Sequence, residues 1–376
     1  MGSAAVILLL GTGLFTQNVV KQKPSPHQFP DDKNVLYVAQ NYDVSTTNSS
    51  SDVSEDKVMT PSMLSSVLTG LSAPIIGSMS AYGAADDSAF LNGLFVCSTE
   101  NCTFNTYSTL NVCPACVETT STIEIHEDEY SLPNSSLTLS ATTGLANMTS
   151  DTFYPMSPAF ADLDVGPLIL HYQAISRKST NQGPSAAECV AFWCVTTHDA
   201  EVTSNNLDES YLDIVYVGLT DSDNAILDKA IFTNTTVHAR TQYGQQSNIT
   251  ITPPLSYQNS TTMLNVSFAI SADAQRALQY TFLTGISGDG PLLHGSFEVA
   301  GNSSRSSSFA AHLIFAGDSS DVNGSEEDFP SLYLEMTNPF TNMTHYMGYA
   351  VRMSASSGYW FTWGETVTNE LRIHVR

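Results

Sequence analysis

The sequence predicts a mainly β protein: an antiparallel, β-sandwich-like domain with a few short peripheral helices. Three observations carry that reading. Short runs rich in β-branched and aromatic residues recur along most of the chain. Clusters of Asn, Gly, Pro and Ser separate them, as turns separate strands. No alternation of strands with long amphipathic helices appears, so antiparallel sheets packed face to face, with helices at their margins, are expected.

Residues 4–15 open on AAVILLL and stay apolar to Phe15. That is shorter than the roughly 20 residues a helix needs to cross a bilayer, and a basic leader and clear cleavage site are both missing. Residues 1–16 therefore read as the remnant of a transmembrane helix, with a buried core helix as the alternative. Residues 17–61 are rich in Pro, Ser and Asp and read as a stalk in which only VLYVAQ (35–40) suggests a strand. The β-rich domain then spans residues 62–376.

At its start, Thr60 before Pro61, followed by Met63, Leu64, Val67, Leu68 and Leu71, predicts a short helix capped by the threonine and ending near Gly70. Strands are predicted at 91–97, 136–140, 167–176, 188–195, 211–218, 248–252 and 263–270. A second helix covers 272–284, with Ser271 as cap, Asp273 in the first turn and Gly285 at the end. Strands at 295–301 and 310–317 follow, then a helix at 328–346 that Pro339 should kink or split. The chain closes on strands at 359–363 and 371–375, the last stopping at Arg376 with no cap or polar tail, as though a C-terminal transmembrane helix were missing.

With 13 basic against 37 acidic residues the net charge is −24. Nucleic acid is a poor partner for such a surface, because affinity there rests on Lys and Arg neutralising phosphates. An anionic membrane surface would repel it for the same reason. Charged residues make up only 13% of the chain, whereas Ser (48) and Thr (39) are abundant, so hydroxyls and sugars must supply much of the solubility.

Asn-x-Ser/Thr occurs at Asn48, Asn101, Asn134, Asn147, Asn234, Asn248, Asn259, Asn265, Asn302, Asn323 and Asn342. Composition predicts roughly five sequons by chance, and eleven are present, which points to a glycosylating secretory pathway. Most of these asparagines should therefore be exposed. The six cysteines, Cys97, Cys102, Cys113, Cys116, Cys189 and Cys194, are even in number, as a disulfide framework requires. The first four could instead hold zinc, but the sequon at Asn101 beside Cys102 favours an oxidising compartment.

Connectivity follows from strand geometry. Cys189 and Cys194 lie on one predicted strand, which would hold their Cα atoms roughly 16 Å apart on opposite faces. A disulfide needs about 4.4–6.8 Å. Either a tight turn breaks the strand and closes Cys189 onto Cys194, or each pairs with a cysteine of the 97–116 group, leaving one bridge inside that group. The second is favoured because no Gly, Pro, Asn or Asp lies between them to make a turn.

No G-x-S-x-G, H-E-x-x-H, G-x-G-x-x-G or P-loop motif is present, and no cofactor or metal signature is found. Three weaker constellations remain. Glu124, His126 and Asp128 would share a face on a strand, at the carboxyl spacing of a retaining glycosidase, although an exposed acidic turn explains them as well. The acidic run 317–328 suggests calcium, but an EF-hand register on Gly324 would put Ser319 and Pro330 at its ends. Tyr359, Trp360, Phe361 and Trp363 could stack on sugars or fill a core.

The segment Cys97-Ser-Thr-Glu-Asn-Cys-Thr-Phe, continued by Ser108-Thr-Leu-Asn-Val-Cys-Pro-Ala-Cys-Val-Glu-Thr-Thr120, resembles the hallmark of a fungal family of membrane proteins known only as a domain of unknown function. There the text runs approximately C-x-T-G-N-C-T-W, then S-L-G-V-C-x-x-C. Here Glu100, Phe104 and Asn111 stand where that family has Gly, Trp and Gly. Gly13-Leu-Phe-Thr-Gln-Asn-Val-Val20 is similar to its D-P-F-x-Q-Q motif, Glu188-Cys-Val-Ala-Phe-Trp-Cys-Val195 to its second cysteine pair, and residues 364–376 to the strand before its last membrane helix. The resemblance implies an extracellular region between membrane helices and carries over no catalytic residue. The expected function is a surface binding module, held at the membrane by anchors largely absent from this chain and recognising a cell-wall glycan or a surface protein. The alternative is a carbohydrate-active enzyme on a jelly-roll-type sandwich.

Overall fold

The computed structural model describes residues 34–43, 59–72, 94–98, 101–133, 135, 137–151, 157–160, 167–177, 183–215, 248–251, 267–285, 291–300, 303–308, 310–311, 314, 332–354 and 360–366. Its strands are β1 (Asn34–Val38), β2 (Asn41–Tyr42), β3 (Phe95–Val96), β4 (Asn101–Glu118), β5 (Glu124–Ile125), β6 (Glu129–Ser131), β7 (Thr138–Ser140) and β8 (Gly144–Asp151). They continue as β9 (Leu168–Ser176), β10 (Ser185–Thr203), β11 (Asn206–Val215), β12 (Ile249–Ile251), β13 (Phe268–Ile270), β14 (Gly295–Ala300), β15 (Ser303–Ser306) and β16 (Trp360–Thr366). The helices are α1 (Pro61–Ser72), α2 (Ala272–Thr284) and α3 (Leu332–Met353).

The fold is mainly β and antiparallel, as expected. A ten-stranded sheet runs β15-β14-β8-β9-β10-β4-β16-β1-β3, with β11 alongside β10. Two three-stranded sheets, β12-β13-β2 and β5-β6-β7, complete it. The short β2–β13 pairing is parallel.

Strands β4 and β10 are the spine, pairing from Ala187↔Glu118 to Thr203↔Asn101. Residues 101–118, which carry the central cysteines, are therefore one long strand that the predicted set does not contain. Pro114 is accommodated because β16 pairs with β4 only at Cys102–Phe104, so around the proline only β10 is bonded to the strand. Strand β10 also runs eight residues past the predicted 188–195. There Thr196, His198, Ala200 and Val202 point inward, while Asp199, Glu201 and Thr203 point to solvent. A two-residue turn with φ of 54° at Ser204 and 62° at Asn205 reverses the chain into β11. Positive φ at both positions matches the right-handed twist of the flanking strands.

Both faces of β10 are buried. Cys189, Ala191, Trp193 and Val195 enter a large core with all three helices and the β12-β13-β2 sheet. Val190, Phe192 and Cys194 enter a smaller one closed by Phe160 of the Pro158–Phe160 turn. Next to it, Leu139 of β7 and Tyr130 of β6 pack on Ile175 and Ala186. The three described helices pack in this core against one face of the sheet. The cause is the apolar stripe Met336, Phe340, Met343, Met347 and Val351 of α3, all buried in the large core.

Helix α2 starts and stops as its sequence dictates: Ser271 Oγ accepts the Ala274 N–H at 3.1 Å, and Gly285 ends it at φ 71°. Helix α3 runs 22 residues with Pro339 inside it and is not split. Part of the segment read as stalk is built into the domain, since Val35, Leu36, Ala39, Tyr42 and Met59 are buried. Residues 4–15 and Arg376 lie outside the described residues. Among the described residues no helix is long and apolar enough to cross a membrane.

Candidate functional site

Where α3 crosses the far end of the β4–β10–β11 ladder, the core turns polar. Arg352, on the face of α3 that also carries His345 and Tyr349, is buried against the sheet. Its Nη1 and Nη2 donate to Glu209 Oε2 and Oε1 at 2.9 and 2.8 Å. Nε and Nη2 also donate to the Tyr37 carbonyl at 3.2 and 3.1 Å. The guanidinium stands 5.6 Å from the Tyr107 ring centroid, and the Tyr107 hydroxyl donates to Glu209.

His198 lies beside this pair. Its ring stacks on Tyr107 at 5.6 Å between centroids and meets the Tyr211 ring edge-on at 5.8 Å. Nε2 is 2.9 Å from Thr196 Oγ1, which also accepts from Asn111 Nδ2 at 3.2 Å. His198 Nδ1 is enclosed with no hydrogen-bond partner among the described residues.

Burial pulls the His198 imidazole down to about 4, with Arg352 and His345 adding to the effect and Glu209 opposing it. For Glu209, burial alone would raise the carboxyl. The Arg352 charge and hydrogen bonds, joined by His198 and the Tyr107 hydroxyl, outweigh it and hold the group at about 2. Burial pushes the Tyr107 phenol well above its ordinary range. For Arg352 burial acts downward, but Glu209 and Tyr107 raise it further, so the guanidinium stays charged.

A cavity of about 40 Å³ opens here, lined among others by Asn111, His198, Tyr211, His345, Tyr349 and Arg352. That is room for water and far below the roughly 300–1,000 Å³ of pockets that enclose organic ligands. The site is thus an electrostatic clamp between helix and sheet, with its carboxylate and guanidinium committed to each other. A second buried pair, His171 Nε2 and Glu188 Oε1 at 2.6 Å, sits between β9 and β10, where Glu188 also accepts the Ser157 N–H at 2.9 Å.

All six cysteines are bridged, and Cys189 and Cys194 each pair with a cysteine of the 97–116 group, the alternative that strand geometry favours. Cys113 pairs with Cys194, Cys116 with Cys189, and Cys97 with Cys102. Cys116 and Cys189 are directly opposite in the ladder, whereas Cys113 and Cys194 are diagonal neighbours. Because each strand carries its two cysteines an odd number of residues apart, one bridge lies on each face of the sheet.

Four sequon asparagines fall within the described residues. Asn248 is exposed. Asn101 and Asn147 are half-buried, the first accepting the Ser204 N–H and the second donating to the Thr138 carbonyl. Asn342 lies within α3, and its Nδ2 is enclosed without a hydrogen-bond partner. Asn48, Asn134, Asn234, Asn259, Asn265, Asn302 and Asn323 lie outside the described residues.

Glu124, His126 and Asp128 are exposed at the rim of the β5-β6-β7 sheet, with Glu124 and His126 3.9 Å apart. The run 317–328, Tyr359 and the side chains of Trp360, Phe361 and Trp363 lie outside the described residues. Among the described residues no group of three or more His, Cys, Asp or Glu side chains is arranged to hold a metal ion.

Sequence reasoning missed the clamp. Tyr107, Glu209 and Arg352 come from three distant elements and share no motif. The one signal was Arg352 itself, in a chain with only 13 basic residues, but the helix predicted at 328–346 stops short of it. No protein-family model, curated protein or solved structure matches this chain.

Proposed function

We propose that this chain is the extracellular, N-glycosylated interaction domain of a membrane-anchored protein that binds a cell-wall glycan or a surface protein. One observation carries the reading: all six cysteines are closed into bridges, two of them linking the central strands of the core. Such a framework persists in secreted and surface proteins and is reduced in the cytosol. The sequon excess, the exposed Asn248 and the resemblance of the cysteine segment to a fungal membrane-protein family support the same compartment. The acidic surface supports a partner other than nucleic acid. The carbohydrate-active alternative gains nothing from the exposed placement of Glu124 and Asp128.

The test is secretion of the chain from a eukaryotic host, followed by non-reducing peptide mapping, glycosidase treatment and a glycan array. Three closed bridges, a mobility shift on deglycosylation and selective glycan binding are expected. Free thiols and no glycan on the secreted chain would overturn the compartment. Silence on the array would move the partner to a surface protein.

A further inference from the structure

Helix α3 has two working faces. Met336, Phe340, Met343 and Met347 lie in the apolar core, and Gly70 of α1 packs against the Met343 backbone. His345, Tyr349 and Arg352 line the polar cavity against β4, β10 and β11. The first contact is indifferent to pH, whereas the second is built around ionisable groups.

We propose that the second contact is a proton-sensitive latch centred on His198, so that acidification opens the polar face of α3, at His345, Tyr349 and Arg352, away from the sheet while the apolar stripe, through Met347 and Val351, stays seated. This inference stands independently of the binding role proposed above. His198 faces Tyr107 from β4, Glu209 and Tyr211 from β11, and His345, Tyr349 and Arg352 from α3. At neutral pH the buried charges balance as one guanidinium against one carboxylate. A proton on His198 leaves two cations beside that single carboxylate. Among the described residues no acceptor faces His198 Nδ1, so a new N–H there is also unsatisfied. The cheapest relief is to open the helix face, which lets water reach the ring.

With the ring held near 4 when docked and near the ordinary 6.5 when freed, the opening equilibrium should rise about 30-fold between pH 7.5 and pH 5. Hydrogen–deuterium exchange on the full chain, read by mass spectrometry and corrected for intrinsic rates, measures it. Peptides covering 344–353 and 206–211 should lose protection by that factor, whereas 61–72 and 332–341 should keep theirs. His198→Gln should cancel the difference. Equal protection at both pH values, or the same loss in H198Q, would overturn the latch. If H198Q does not fold, NMR titration of the native His198 ring decides: a midpoint near 6.5 overturns the proposal, and one near 4 together with the exchange result sustains it.

Discussion

Arg352, at the end of the last helix, holds Glu209 of β11 through two parallel hydrogen bonds across 143 residues of sequence. The two side chains are 3% and 11% exposed, so neither charge is left to water. Removing one partner strands the other, whereas removing both removes the problem. Arg352→Met or Glu209→Leu should each lower the unfolding free energy by about 3–5 kcal/mol. The double variant Arg352→Met/Glu209→Leu should recover much of that loss. Urea denaturation of the four proteins at neutral pH gives the cycle, and single variants within about 1 kcal/mol of the parent would show that the pair is not a clamp.

Stability should fall in two steps on acidification. The unfolded chain protonates His198 from its ordinary 6.5, while the folded chain resists until about 4. Its contribution is therefore whole above about pH 6.5 and is lost through that window, by about 3 kcal/mol. Glu209 acts lower: the unfolded carboxyl takes its proton near 4.5 and the folded one only near 2, so a further loss of similar size follows below 4.5. Denaturant midpoints across pH 7.5 to 3 test this, and H198Q should flatten only the upper step.

What the sequence revealed follows the range of the interactions. Helix α2 was legible because Ser271, Asp273 and Gly285 act on their own backbone neighbours. The separation of Cys189 and Cys194 was legible because one strand's periodicity decides it. The second half of β10 was written as clearly, since His198, Ala200 and Val202 alternate with Asp199, Glu201 and Thr203, but its polar residues hid the pattern. Two features were not legible. That α3 lies across the sheet depends on which face the distant strands leave open. The Arg352–Glu209–Tyr107 clamp depends on three elements meeting, and no local spacing encodes that.

Two glycines mark how closely α3 is approached, and they should differ in cost. A Cβ on Gly70 would stand 2.5 Å from Met343 Cα, so Gly70→Ala must push two helices apart. A Cβ on Gly348 would meet Asn111 Oδ1 at 1.8 Å, the end of a side chain that can turn aside once its bond to the Val112 N–H is lost. Thermal denaturation should show G70A losing about 2–3 kcal/mol and G348A distinctly less. The reverse order would mean that Asn111 cannot move.

Sequon occupancy should follow access to Nδ2. Asn248 stands exposed just before β12, where a transferase can reach it. Asn342 lies inside α3 with its amide nitrogen enclosed, beside the contact between Gly70 and Met343. Glycopeptide mass spectrometry of the secreted protein should find Asn248 occupied and Asn342 bare. A glycan on Asn342 would mean that α3 docks after modification, or elsewhere.

The two bridges across β4 and β10 should be strongly non-additive. Taken alone, each closes a loop of 81 or 73 residues, which in the chain-entropy description stabilises by about 4.5 kcal/mol. They are nested, however. With one in place, the other closes only a circuit of roughly ten residues, made of the short stretches between the cysteines on each strand, and adds about 2.5 kcal/mol. Cys113→Ala/Cys194→Ala should therefore cost about the same as Cys116→Ala/Cys189→Ala, near the smaller figure, although the bridges lie on opposite faces of the sheet. Removing all four cysteines should cost about 7 kcal/mol, which approaches or exceeds the whole stability of many domains. Denaturant unfolding of the two double variants and the quadruple variant tests this. Double variants that each lose the full 4.5 kcal/mol would show that the bridges act on separate parts of the unfolded chain, and the paired-strand staple would have to be abandoned.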